Sequence, residues 1–428
     1  MNSRNATAYR HRGAVIIWVA ISLTMLCGFA ALAIDMGYLF VLKHQTQTTS
    51  DAAALAAVSQ LPDPAKVLSV AVEYAGKNMP PADHGTVLTP SDLVMGGWDY
   101  DTRTFTPAAD PPNAVKVTTR RAESNGNPAP LFFANLMGLR QSDVVSAAVA
   151  TMQRSAAGAG IIVLCPDCEC SLRFSGNTGL TLATTPDYDG EAAIQVNSDD
   201  DCATCGSGNA LTVTADAIFI VGDACWSGNP TINADIYPNS LPMPDPLAGL
   251  PDPPWGAPDL GFIENIPGVT TYQPGWYSGG IRITASDTTV VFDPGIYVLD
   301  GEGLYVNGGN LTALGVHFYV IGTGRVFLGG NGFITITPID DLTSPYDGIS
   351  IFEARDNTNT STIIGSSNMV LDGTYYFPVA PLELGGTGIS FGNQLIAWTY
   401  WVHGTGVFTI NYDGRNQVPA VVRYRLVD

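Results

Sequence analysis

Residues 310–331 read NLTALGVHFYVIGTGRVFLGGN, and this stretch decides the fold of most of the chain. Gly315–Ile321 (GVHFYVI) and Gly324–Leu328 are short, continuous apolar runs. Each is bounded by glycine, and the length suits a buried strand and falls short of a helix. The Gly-Gly-Asn of 308–310 returns at 329–331, a step of 21 residues, and Gly386 to Gly404 is a step of 18. Related turns stand at Phe174-Ser-Gly-Asn177, Trp226-Ser-Gly-Asn229, Leu384-Gly-Gly-Thr387 and His403-Gly-Thr-Gly406, with a further strand at Phe333–Thr337. A short strand can bury its apolar side only against a neighbour, so such a recurrence predicts stacked repeats. The expected fold class is mainly β, with a right-handed parallel β-helix over 156–428. The alternative is a β-sandwich, because hairpin dipeptides also occur at Asp189-Gly190, Asn307-Gly308, Asp347-Gly348, Asp372-Gly373 and Asp413-Gly414. Residues 238–258 hold eight prolines and therefore read as an extended strap or hinge.

The chain has 428 residues, 46% of them hydrophobic and 14% charged, with 46 Gly and 29 Pro, which excludes disorder and points to a loop-rich β protein. Charge is unevenly placed. Residues 1–155 hold 12 of the 19 Lys and Arg and 11 of the 39 Asp and Glu, whereas 156–428 hold the other 7 and 28, with no Lys. A nucleic-acid partner is not expected, since phosphate binding needs a basic face.

Ala14–Ile34 (AVIIWVAISLTMLCGFAALAI) is 21 residues without a charge, long enough as a helix to cross a bilayer. Arg4, Arg10 and Arg12 precede it and Asp35 follows, so the positive-inside rule predicts a cytoplasmic N-terminus and an exported body. Ala31-Leu32-Ala33 also fits a signal-peptidase site. A retained anchor is expected, because the run is longer than a signal h-region and apolar character resumes at Met36–Leu42. Ser50-Asp51-Ala52-Ala53-Ala54-Leu55-Ala56-Ala57 then reads as a close-packing helix, docked on its own domain or on partner helices. Leu61-Pro62-Asp63-Pro64 breaks the helix. Beyond it come a helical run at Ala65–Asn78, strands at Val94–Asp99, Arg103–Thr106, Ala114–Thr119 and Val144–Thr151, and an apolar helix at Leu131–Leu139. The expected organisation is a basic cytoplasmic tail (1–13), a transmembrane helix (14–34), an Ala-rich helix (35–60), a small α+β domain (61–155) and the β-rich exported domain (156–428).

The residues Gly13, Asp35, Asp51, Ala52, Ala53, Ala54 and Leu55, in this order and spacing over 12–60, resemble the N-terminal module of TadE/TadG-like proteins of the Flp (tight adherence) pilus-assembly system. Further resemblance lies in Gly97-Trp98-Asp99, Asn113-Ala114-Val115, Phe132-Phe133-Ala134, Asp245–Pro251 and Asp293–Leu299. One departure is Gln45–Ser50 (QTQTTS), where that family usually has a more apolar segment. Prepilins of the related type IV class carry a Glu five residues after their cleaved Gly. Gly13 is followed by AVIIW, so the resemblance implies the uncleaved TadG-like branch.

Of the seven cysteines, Cys27 lies in the apolar run. The other six, Cys165, Cys168, Cys170, Cys202, Cys205 and Cys225, suit disulfides in an exported protein, and a zinc site on Cys165-x-x-Cys168 and Cys202-x-x-Cys205 is the rival. Asp199-Asp200-Asp201 lacks a calcium-loop pattern and reads as a solvated turn, and Asp356-x-Thr358-x-Thr360 reads as a surface loop. A polysaccharide enzyme would need converging carboxylates or a base. Asp300, Asp340, Asp341 and Asp372 show no common repeat offset, and His317 and His403 are isolated. No catalytic residue, metal or cofactor is expected. The expected protein is a non-catalytic, single-pass inner-membrane protein of Tad pilus assembly, contacting the lipid bilayer, other pilus-assembly or envelope proteins and surface glycans. The alternatives are a membrane-anchored polysaccharide-active enzyme and a carbohydrate-binding module using Trp398, Tyr400 and Trp401.

Overall fold

The computed structural model describes residues 12–100, 102–256, 258–366 and 368–427, with side chains from Val15 onward; Arg4 and Arg10 of the basic tail lie outside the described residues. The chain divides into two compact units, Met1–Met152 with Tyr424–Asp428, and Gln153–Arg423.

The first unit is organised by helix α1 (Arg12–Val58), whose apolar stretch is long enough to cross a membrane. Nearly every residue of 15–34 is exposed. Apolar all round, this half of α1 has no protein face to bury. The other half does: Leu42, Ala53, Ala54, Ala57 and Val58 are buried with Val67, Ala71 and Ala75 of α2 (Pro64–Asn78). Small side chains on both helices allow the close approach. Asp63 caps α2 by accepting from the N–H groups of Ala65 and Lys66, and Pro64 occupies the first turn, where no donor is lost. Beside the helices lies a five-stranded sheet ordered Thr104–Pro107, Leu93–Asp99, Ala114–Arg121, Val144–Arg154, Val422–Val427. The helix expected at Leu131–Leu139 is absent. That segment is a loop with one 3-10 turn at Ala134–Met137, closed by Gly138 in the left-handed conformation. Its apolar side chains have no core to pack on, and a short helix without a buried face does not hold.

The second unit is dominated by a 26-stranded parallel sheet. From residue 262 onward, most strands pair in parallel with the strand three places later in sequence. The recurrences of 21 and 18 residues are pairing steps, as in Val290↔Leu311 and Leu384↔Val402. Every pairing in this sheet is parallel among the described residues, unlike the antiparallel hairpins of a sandwich. Two kinds of apolar run have distinct places. Alternating ones, such as Leu304/Val306 and Val326/Leu328, bury one side in the main core and leave the other toward solvent. Val316–Val320 and Ile349–Glu353, apolar but for His317, Ser350 and Glu353, are buried on both sides. Glycine turns stack between repeats: a Cβ on Gly330 (φ +83°) would lie 2.5 Å from the Gly308 nitrogen.

Chain order and stacking order differ. Repeats climb from 262–272 to 394–412, and Leu395 of the last pairs with Ile161 of the first strand after residue 155. The stack continues through Ile194 and Ile218 to Ile236. The Pro-rich segment 238–258 joins this far end to the opposite one, where Asp259 bridges Trp276. It runs over the continuous apolar strands. Asn197 exchanges two hydrogen bonds with the Met243 backbone (2.8 and 2.9 Å), Tyr376 donates to Asp245 (2.6 Å), and Trp255 packs on Trp276 with centroids 5.4 Å apart. Met243 and Leu247 close a second core over Tyr319, Phe352 and Tyr376.

Candidate functional site

Asp35 stands one residue beyond the apolar run and is 2% exposed. Its Oδ1 accepts from the Phe132 N–H (2.9 Å) and its Oδ2 from the Phe133 and Ala134 N–H groups (3.0 and 2.6 Å). One carboxylate thereby satisfies three backbone donors that precede or open the 3-10 turn, as an anion does at a helix start. Tyr38, one turn along α1, meets Phe132 edge to face at 5.4 Å.

The QTQTTS departure acquires a role about two turns beyond Tyr38. Thr46, Thr49 and Ser50 are buried. Thr46 Oγ1 lies 2.8 Å from Ser146 Oγ, Ser50 Oγ lies 2.8 Å from Thr119 Oγ1, and Thr119 donates to the Thr46 carbonyl (2.8 Å). Lys43 donates to the Val145 carbonyl. This side of α1 is matched hydroxyl to hydroxyl with two strands, so polar residues serve better there than leucines would. Asp51 accepts from Gln47 (2.8 Å). Ala52 and Leu55 are half-buried, and Ala53 and Ala54 fully buried, so the Ala-rich motif packs within its own unit. Gly13 belongs to the first turn of α1.

In the second unit the six cysteines form three bonds, Cys165–Cys168, Cys170–Cys205 and Cys202–Cys225. Cys205 and Cys225 are register partners on neighbouring parallel strands, and the latter two bonds tie three successive repeats together. The sulfurs of Cys165, Cys168, Cys202 and Cys205 are thus spread over three bonds and not gathered in one tetrahedron. Among the described residues, Cys165, Asp167 and Cys168 are the one group of three His, Cys, Asp or Glu whose ligand atoms lie within 4.8 Å.

The acids weighed as catalysts serve turns: Asp300 accepts from the Gly301 N–H, Asp341 from the Thr343 N–H and hydroxyl, and Asp372 from the Gly373 N–H. The Thr343 bonds hold the Asp341 carboxyl below the usual range. Arg355, which sequence reasoning left without a role, clamps the Pro-rich segment. It pairs with Asp252 (2.8 Å), donates to the Leu247 and Leu250 carbonyls (3.0 and 2.9 Å) and covers the Phe352 ring. His317 is fully buried, stacked on Tyr346 at 4.6 Å, with Nδ1 2.8 Å from the Ile349 carbonyl; burial lowers its pKa to about 4. Glu353, also missed, is 0% exposed, and burial pushes its carboxyl up to about 8 against the lowering effect of a Ser361 hydrogen bond. Its signal in the sequence was one acid ending a mostly apolar strand, Ile349–Glu353. Of the aromatic trio, Tyr400 is a correction: it points into the core and is 2% exposed. Trp401 is at the surface, beside His403 and Arg173, with Nε1 donating to Ser175 (2.8 Å).

The first unit thus combines an apolar helix long enough to cross a membrane with a small α/β body, and the first acidic residue of that helix, Asp35, is locked to a loop. Residues 13–60 match the family model described as putative Flp pilus-assembly TadE/G-like, and residues 43–150 match the one described as putative Tad-like Flp pilus-assembly. Both matches lie in the N-terminal third of the chain, residues 13–150. No curated protein and no solved structure matches the chain.

Proposed function

We propose that this is a non-catalytic, single-pass protein of the cytoplasmic membrane that works in Tad-type pilus assembly, with an N-terminus inside and a body outside. Its large parallel sheet is the wall of a right-handed parallel β-helix, which serves assembly, adhesion or envelope contact; the three-apart parallel pairing supports that reading. Its partners are lipid, other pilus or envelope proteins, and glycans at the surface around Trp401. The observation that carries the proposal is the continuity of α1 from Arg12 to Val58. Ala31-Leu32-Ala33 lies in mid-helix, where a signal peptidase would have to unwind its substrate, and Asp35, Thr46 and Ser50 fasten the exported end. Three disulfides suit an oxidising compartment.

Alkaline phosphatase fused after Ser155 should be active. A silent fusion, with a cytosolic reporter working at the same junction, would overturn the topology, and a mature N-terminus at Ile34 would overturn retention. The purified protein should turn over neither acidic nor neutral polysaccharides, with or without calcium. Turnover that disappears in Asp340→Asn with Asp341→Asn would make it an enzyme.

A further inference from the structure

The loop that Asp35 holds leaves an unusual surface bare. Leu136 is 95% exposed, Met137 83%, Leu139 62% and Phe132 60%. Four large apolar side chains within eight residues are more than scattered surface hydrophobics. Nor is the loop loosely held. Ala129↔Ser142 and Pro130↔Gln141 pair antiparallel at its base, the Leu131 N–H reaches the Arg140 carbonyl (3.0 Å), and the turn at Ala134–Met137 is closed by two bonds from the Gly138 N–H. The tip is a hydrogen-bonded hairpin carrying apolar residues.

Its height along α1 says what covers it. Residues 15–34 rise about 30 Å as a helix, the thickness of the hydrocarbon core, so the bilayer boundary falls at Asp35. The loop is bonded to Asp35 by three consecutive N–H groups and touches Tyr38, which puts it at that boundary. Tyr38, Phe132 and Phe133 are aromatic residues at the depth where such side chains concentrate, and Arg140, exposed, can keep its charge at the headgroups. We propose that Leu131–Arg140 is a second membrane contact, a hairpin whose Leu136, Met137 and Leu139 enter the interfacial layer of the bilayer that α1 crosses. The proposal rests on the anchor reading above. The loop packs on α1 at Asp35 and Tyr38, and the residues of α1 flanking Asp35, Ile34 and Met36, are exposed like the loop's own apolar side chains; lipid is the occupant both require. Asp35 thus sets the tilt and depth of the unit by fixing a second point of attachment.

The test uses the full chain with Cys27→Ala, reconstituted in vesicles of phosphatidylethanolamine and phosphatidylglycerol with no other protein. Single spin labels go on Leu136→Cys, on Leu23→Cys in the span and on Lys66→Cys in the first turn of α2. Collisions with oxygen and with a water-soluble nickel chelate are then compared. The label at 136 should meet the chelate several-fold less often than the label at 66 and read as interfacial, shallower than 23. If 136 is as accessible to the chelate as 66 while 23 is deep in lipid, the anchor stands and the hairpin contact is wrong; the loop is then free for a protein partner. If 23 is itself open to the chelate, both readings fall.

Discussion

Deleting Leu241–Asp252 should abolish the monomeric fold of the second unit, whereas replacing the same residues by Gly and Ser at equal length should only weaken it. The argument is one of reach. Between Ile236 and Asp259 the stack passes through Ile218, Ile194, Ile161, Leu395, Tyr375, Ile351, Phe318, Tyr297 and Gly275. That makes ten steps of about 4.8 Å, or about 48 Å. The intact segment 238–258 spans that with slack, since an extended chain covers up to about 3.5 Å per residue. After the deletion it reaches only about 35 Å at the same rise per residue. The chain must then give up the 259–272 or the 217–237 end, or exchange one with a second molecule. The Gly/Ser replacement keeps the reach and loses the buried Leu241, Met243 and Leu247 side chains, each worth about 2–4 kcal/mol in a core. Size-exclusion with light scattering and hydrogen exchange would read the result. A deletion variant that stays monomeric with normal protection at both ends would disprove the stacking order.

That order is the part of the fold least visible in the sequence. Val316–Val320 and the Gly-Gly-Asn turns announce strands and their spacing because both are local: apolar runs need burial and stacked turns need glycine. Nothing local states that Leu395 lies beside Ile161, a partnership between residues more than two hundred positions apart. The strap could be read as extended from its prolines, yet its destination depends on Arg355 and Tyr376, whose partners on it are Asp252, backbone carbonyls and Asp245. In the first unit the motif spacing identified Asp35 and the Ala-rich helix. It could not reveal that three N–H groups almost a hundred residues later bind that carboxylate. Leu131–Leu139 misled because an apolar run looks the same whether or not a core is there to cover it. QTQTTS stood out as a departure from a more apolar segment because hydroxyl partners on strands cannot be seen from one segment.

Glu353→Gln should flatten the pH dependence of stability above neutrality. The Glu353 carboxyl is buried with Oε2 accepting from Ser361 Oγ (2.8 Å), which in turn accepts from the Val326 N–H (2.9 Å), and Oε1 has no partner. Burial raises its pKa to about 8 from an ordinary 4.5. Between those values the unfolded chain loses the proton and the native one keeps it. The native state binds more protons, and stability falls as pH rises, by up to about 1.4 kcal/mol per unit. His317 opposes this over part of the range: burial lowers it from 6.5 to about 4, so its contribution is lost as pH falls through that window. The two slopes offset each other between about 4.5 and 6.5, and Glu353 acts alone from there to about 8. Gln keeps an acceptor for Ser361 but buries an amide N–H without a partner, a cost of about 1–3 kcal/mol that does not vary with pH. The readout is therefore the slope. Urea unfolding of the detergent-solubilised full chain should show wild-type stability declining from pH 6.5 to 8. The variant should be level there and decline only toward acid, where His317 is left unopposed. Parallel curves for the two proteins from pH 5 to 8.5 would mean that Glu353 is ionised in the fold.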